Sequence, residues 1–142
     1  MSLPSFRRAA ALLAPLLLLP APAVAQGDLL SDRVVMTLVE EVLIADLMLR
    51  SCEGVEGSDE GAAEVQRIAD ELARRSGHSP ETAAARLSRP DALSRIEAGA
   101  RQRLVMMGAR PEDAGAVCSV ARRVAGGPGV LGALIRTTPQ PE

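Results

Sequence analysis

From about residue 31 onward, apolar residues recur every three or four positions, in blocks separated by glycine and proline. That is the pattern of consecutive amphipathic helices, and no sustained period-two alternation predicts a strand. The first helix is expected to take Ser31 as its N-cap, with Asp32 in the first turn, and to run to about Cys52. Arg33, Thr37, Glu40 and Glu41 make its narrow polar face. Val35, Leu38, Val39, Val42 and Leu49 lie opposite, which marks this helix as the hydrophobic centre. A second helix is expected after Ser58, with Asp59 and Glu60 at its positive end, an apolar stripe of Val65, Ile68, Ala69 and Leu72, and a stop at Gly77. Ser79-Pro80-Glu81 opens a short third helix ending near Leu87.

Pro90-Asp91 opens a fourth, in which Leu93, Ile96, Ala100, Leu104 and Met107 keep helical spacing up to Gly108. Pro111-Glu112-Asp113 opens a fifth, whose stripe of Ala114, Val117, Cys118, Ala121 and Val124 turns Cys118 toward the core. Val130 to Arg136 offers at most two more turns, and Thr137 to Glu142 reads as a frayed tail. The expected fold is therefore all-α, a small single-domain antiparallel bundle of about five helices over residues 26–136.

The first 25 residues have a different pattern. Arg7 and Arg8 are their only charged side chains, an apolar run spans Ala9 to about Leu19, and Ala23-Val24-Ala25 puts small residues where a signal peptidase reads. The run is shorter than the ~20 residues a membrane span needs, and Pro15 and Pro20 disturb it. The expectation is a cleavable signal peptide over 1–25, cut between Ala25 and Gln26, and a periplasmic product with no integral membrane segment.

Export changes how the composition is read. Without the two leader arginines the chain carries 14 basic and 18 acidic residues, a mild negative excess that gives no reason to bind nucleic acid. Lys, Trp and Tyr are absent and the only Phe is Phe6, so aromatic platforms, cation cages and lysine Schiff bases are excluded from the expected product. Cys52 and Cys118 are the only cysteines, and an oxidising compartment favours their pairing. A bridge over 66 positions stabilises by roughly 4 kcal/mol in the chain-entropy account, useful to a core without large rings. The rivals are a redox pair, for which the Cys-x-x-Cys spacing is missing, and a metal site, for which two Cys and one His need carboxylate help.

Some residues invite a functional reading. Gly127, Gly129 and Gly132 fit G-x-G-x-x-G, but a helix precedes them and the chain ends ten residues later, so a glycine-rich connection is expected rather than a dinucleotide site. His78, the only histidine, is expected in a loop without a catalytic role. Asp46 falls on the face assigned to the core, where a carboxylate must be paired, with Arg95 or Arg50 for example, lie at an edge, or anchor a partner. Ile44 and Met48 carry the polar face of helix one into apolar territory. Later helices are expected to cover them, and an exposed partner patch is the alternative. Asp46, Ile44 and Met48 are thus the candidate interaction residues.

Several short segments recur in an order that resembles a known family: Arg50-Ser51-Cys52, Gly77-His78-Ser79, Asp91 with Arg95, Gly108, and Cys118 through Arg122 to Leu131-Gly132-Ala133-Leu134-Ile135-Arg136. Together they resemble short exported alphaproteobacterial proteins grouped as a domain of unknown function, over about Leu30 to Arg136. His78 replaces a tyrosine usual in that family, and Val124 stands where an acid is usual. The resemblance implies no catalytic residue. It implies at most an accessory or assembly role beside a membrane respiratory NADH dehydrogenase.

The leading expectation is a non-enzymatic module that binds another protein and uses no cofactor or metal. The accessory role is the alternative. An enzyme would have to rely on carboxylates, with Asp46 and Glu41 the first to test.

Overall fold

The computed structural model describes residues 26–139. The expected signal segment, its cleavage point and residues 140–142 lie outside them. Six helices and one small ribbon follow in order: α1 (Arg33–Ser51), β1 (Val55–Gly57), α2 (Asp59–Arg75), α3 (Pro80–Leu87), α4 (Pro90–Met106), α5 (Ala114–Val124), α6 (Gly129–Leu134) and β2 (Ile135–Thr137). No helix among the described residues is long and apolar enough to cross a membrane. The chain is all-α with one disulfide, as its periodicity and cysteine count predict.

The helix ends are fixed locally. Ser58 and Ser79 accept from the backbone N–H three residues on, at 3.1 Å in each case, and Asp113 does the same at 2.9 Å. At the start of α1 the cap is Asp32 rather than Ser31. Its carboxylate accepts from the N–H groups of Val34 and Val35, while the Ser31 hydroxyl turns back and donates to Asp28 at 2.6 Å. Two helices end in the same device. Gly77 follows α2 with φ +76° and Gly108 follows α4 with φ +98°. In both, the next N–H reaches back across the turn, His78 to the carbonyl of Ala73 and Ala109 to that of Leu104. A Cβ is rarely tolerated at such φ, which is why glycine stands there.

Packing divides α1 lengthwise. Its first half lays Val35 and Leu38 against Leu29, Val65, Leu72, Ala73 and Ala83, a cluster formed with α2, α3 and the N-terminal turn. Its second half lays Ile44, Ala45 and Met48 against residues of α4, α5, α6 and the ribbon. The two halves bury different arcs of one helix. The single stripe expected from the sequence is therefore wrong in the second half, where Val42 (41% exposed) and Leu49 (38%) face outward.

Cys52, the C-cap of α1, is bonded to Cys118 on α5 with a Cα–Cα separation of 5.2 Å. The bridge lies beside the ribbon, which the helical pattern did not predict. There β1 and β2 pair antiparallel, Val55 opposite Thr137 and Gly57 opposite Ile135, with Glu56 and Arg136 joined across the strands at 2.8 Å. Ile135 is completely buried, so a residue assigned to the last helical turns is a strand residue of the core. Thr137, assigned to a frayed tail, is paired in that strand, and the Thr138 N–H donates to the Gly54 carbonyl at 3.0 Å.

Candidate functional site

Residues of α1 and α4 together line two neighbouring, largely apolar recesses on the surface of the described chain. A recess of about 310 Å³ between the two helices is lined by Leu43, Leu47 and Ala100, with Arg50, Glu97 and Arg101. A second, of about 400 Å³, is lined by Val39, Val42, Leu93 and Ile96, with Asp46 and Glu97. Leu43 and Glu97 belong to both, so the two form one furrow. It is open and wide, without the enclosure that holds a small ligand. Leu93 is 43% exposed here, alongside Val42.

Of the three candidate interaction residues, Asp46 is exposed on this surface and Ile44 lines the floor of the first recess while itself almost fully buried. Asp46 is not on the core side: its carboxylate is exposed and pairs with Arg50 one turn on, at 2.6 Å. An exposed pair of this kind contributes little to stability. Ile44 and Met48 are buried, Met48 completely, under α4, α5 and α6. Coverage by the later helices is the outcome, and neither residue can form an exposed partner patch. Among the exposed side chains of α1 are Val42 and Leu49, which periodicity had placed inside.

Glu40 and Glu41 also lie elsewhere than on a solvated face. Both converge on Arg103 of α4. Its Nη2 lies 3.0 Å from Glu40 Oε2 and 3.2 Å from Thr37 Oγ1, and its Nη1 lies 3.8 Å from Glu41 Oε1. The other oxygen of Glu41 accepts from the Leu131 N–H in α6 at 3.3 Å. The Glu40 side chain is only 13% exposed. Gly99 makes room for it, because a Cβ at that position would fall on the Glu40 carboxylate. This cluster ties α1, α4 and α6 together through charge-assisted bonds. Nothing in the local sequence could reveal the cluster, since Arg103 is 63 positions from Glu40.

His78 lies in the α2–α3 loop, as expected, and is buried there (4% exposed). Its Nε2 lies 2.9 Å from the Gly27 carbonyl oxygen, which can only accept, so Nε2 carries the proton. The Gly27 N–H in turn donates to the carbonyl of Ser76, and His78 thus fastens the N-terminal turn to the α2–α3 corner. Ser79 is occupied as the cap of α3, so no serine–histidine pair forms. In the G-x-G-x-x-G match Gly132 lies against the carbonyls of Val124 and Gly127, where a Cβ would collide, and Gly129 takes a positive φ of +89°. Among the described residues no group of three His, Cys, Asp or Glu side chains is placed to hold a metal ion. Comparison with protein-family models, with curated proteins and with solved structures found no match.

Proposed function

We propose that the chain is exported to the periplasm after cleavage between Ala25 and Gln26, and that it acts there by binding protein rather than by catalysis. One observation carries the proposal: the continuous apolar furrow over α1 and α4, with Val42 and Leu93 exposed in it and Asp46, Glu97 and Arg101 around them. An open surface that is apolar with interspersed charge suits a helix of matching pattern better than a small molecule. The disulfide is what an oxidising compartment permits.

Two measurements test this. N-terminal sequencing of the protein recovered from the periplasmic fraction should begin at Gln26. Retention of the first 25 residues, or recovery only from the cytosol, would overturn the address. A photo-reactive side chain placed at Leu93 in the living cell should give a discrete protein adduct that disappears when Val42→Glu is added. Its identity is then read by mass spectrometry. Adducts with respiratory dehydrogenase subunits would point to the accessory role, and no Val42-dependent adduct of any kind would remove the binding function.

A further inference from the structure

The exposed residues of α4 fall in a specific order. Leu93, Glu97, Arg101 and Val105 follow one another at four-residue intervals, and all four are exposed, Leu93 at 43% and Val105 at 50%. Residues spaced by four form the ridges along which helices pack, and ridge-into-groove packing of two such rows is the commonest helix–helix geometry. The row reads apolar, acidic, basic, apolar. Reversed and laid against itself, it sets Leu93 against Val105 and Glu97 against Arg101, twice over.

We propose that the occupant of this surface is a second copy of the chain, docked antiparallel on α4 about a two-fold axis passing between Glu97 and Arg101. The inference rests on the protein-binding reading and names its partner. Self-complementary charge is what an isologous interface requires: each contact made by one copy is repeated by the other. Glu97 and Arg101 are available for it, because neither takes part in an ion pair among the described residues, whereas Arg103 two residues on is committed to Glu40 and Glu41. The parallel row on α1, Val42, Asp46 and Arg50, repeats the apolar–acidic–basic order at the same spacing and widens the docking face. Across the axis the apolar ends meet at both margins, and the charged pairs fix register and direction.

Sedimentation equilibrium of the disulfide-intact protein purified from the periplasmic fraction tests the proposal. The wild type should sediment as twice the chain mass, and Leu93→Glu as a monomer with an unchanged helical circular-dichroism spectrum. Glu97→Arg or Arg101→Glu alone places like charges together twice and should raise the dimer Kd by roughly tenfold or more. The double variant, and an equimolar mixture of the two single variants, should dimerise again, because each restores opposite charges across the axis. A wild type that stays monomeric at roughly 100 µM would overturn the inference, as would single variants that dimerise as the wild type does. If the wild type is monomeric while Leu93 still cross-links to a different protein, the partner is not a second copy and the binding function stands. If Leu93 yields no adduct and no dimer forms, both fall.

Discussion

The two ends of α1 are held in contrasting ways. Around its second half the core is tight: Met48, Val117, Ala121 and Ile135 have no exposed surface, and the disulfide closes over them. Around its first half the buried side chains are fewer, and several, such as Val65 and Leu72, keep a little exposure. A recess of about 220 Å³ remains there, lined by Leu29, Val35, Leu38 and Ala73 among others. No disulfide secures that end; the Gly27 N–H donates to the Ser76 carbonyl, the Gly27 carbonyl accepts from His78 Nε2, and these bonds close it. The cross-link thus lies in the half that packing already holds. Yet α2, α3 and α4 all fall between Cys52 and Cys118, so the loop it closes contains the α2 and α3 part of the weaker half, while the N-terminal turn and the first half of α1 lie outside it. A cross-link of this kind acts chiefly by restricting the unfolded chain, so it stabilises the whole domain without tightening the loose end.

Removing the bridge gives the largest effect and separates those two consequences. Cys52→Ala with Cys118→Ala should lower global stability by about 4 kcal/mol in urea unfolding. Hydrogen exchange of the most protected amides in α5 should accelerate to match, while amides of α3 and the N-terminal turn, which exchange through local opening, should hardly change. Equal acceleration at both ends would mean that the two halves open as one unit.

Truncations inside each half come next. Met48→Ala should cost about 4 kcal/mol, since a completely buried side chain leaves a void that its dense surroundings cannot fill. Leu72→Ala should cost about 2 kcal/mol, because it borders a recess and its neighbours can relax. Urea midpoints of the two variants decide the order, and a reversed order would make the α2–α3 side the tighter half.

The same division explains what the sequence could and could not reveal. Ser58 and Ser79 were legible as helix starts because a cap is a local event, decided within three residues, whereas α5 starts after its cap Asp113 and not at Pro111. The disulfide was legible from an even pair of cysteines and the expected export. The faces of α1 were not, because a helical wheel assumes one buried stripe, and this helix turns one arc to each of two clusters. Val42, Asp46 and Leu49 were therefore assigned to the inside although they face out, whereas Ile44 and Met48 are covered as expected. The ribbon escaped because three-residue strands are too short to display alternation, and their pairing joins positions 55 and 137. The Glu40–Glu41–Arg103 cluster is likewise non-local. On α4, by contrast, the row from Leu93 to Val105 is regular in the sequence, but the joint exposure of all four residues is not legible there.

A smaller effect is expected at the latch of the looser half. His78→Leu keeps an apolar side chain in the corner but removes the donor to the Gly27 carbonyl, at about 1 kcal/mol. The loss should be local: faster exchange for the amides of residues 27–32 and no change in α5. A global loss as large as that of Met48→Ala would show that the N-terminal turn is an integral part of the core.

The smallest effect belongs to Asp28 in the same turn, and pH reveals it. The Ser31 hydroxyl, first, and the Leu30 N–H, second, both donate to its carboxylate and hold its pKa below the ordinary aspartate value, with Arg95 and Arg86 adding weaker attraction. A carboxyl group whose pKa is depressed on folding contributes stability that is present above its unfolded pKa. That contribution fades as pH falls through the folded value, because the protonated group no longer accepts these bonds as strongly. Asp28→Asn should therefore lower Tm slightly at neutral pH, and the gap to the wild type should close in acid, below the ordinary aspartate range. The group is exposed, so the gap will be small, and it should shrink in high salt only by the share the arginines contribute. A gap that persists undiminished in acid would assign the effect to the shape of the turn instead of the ionised carboxylate. The looser half would then be closed by His78 and backbone bonds alone.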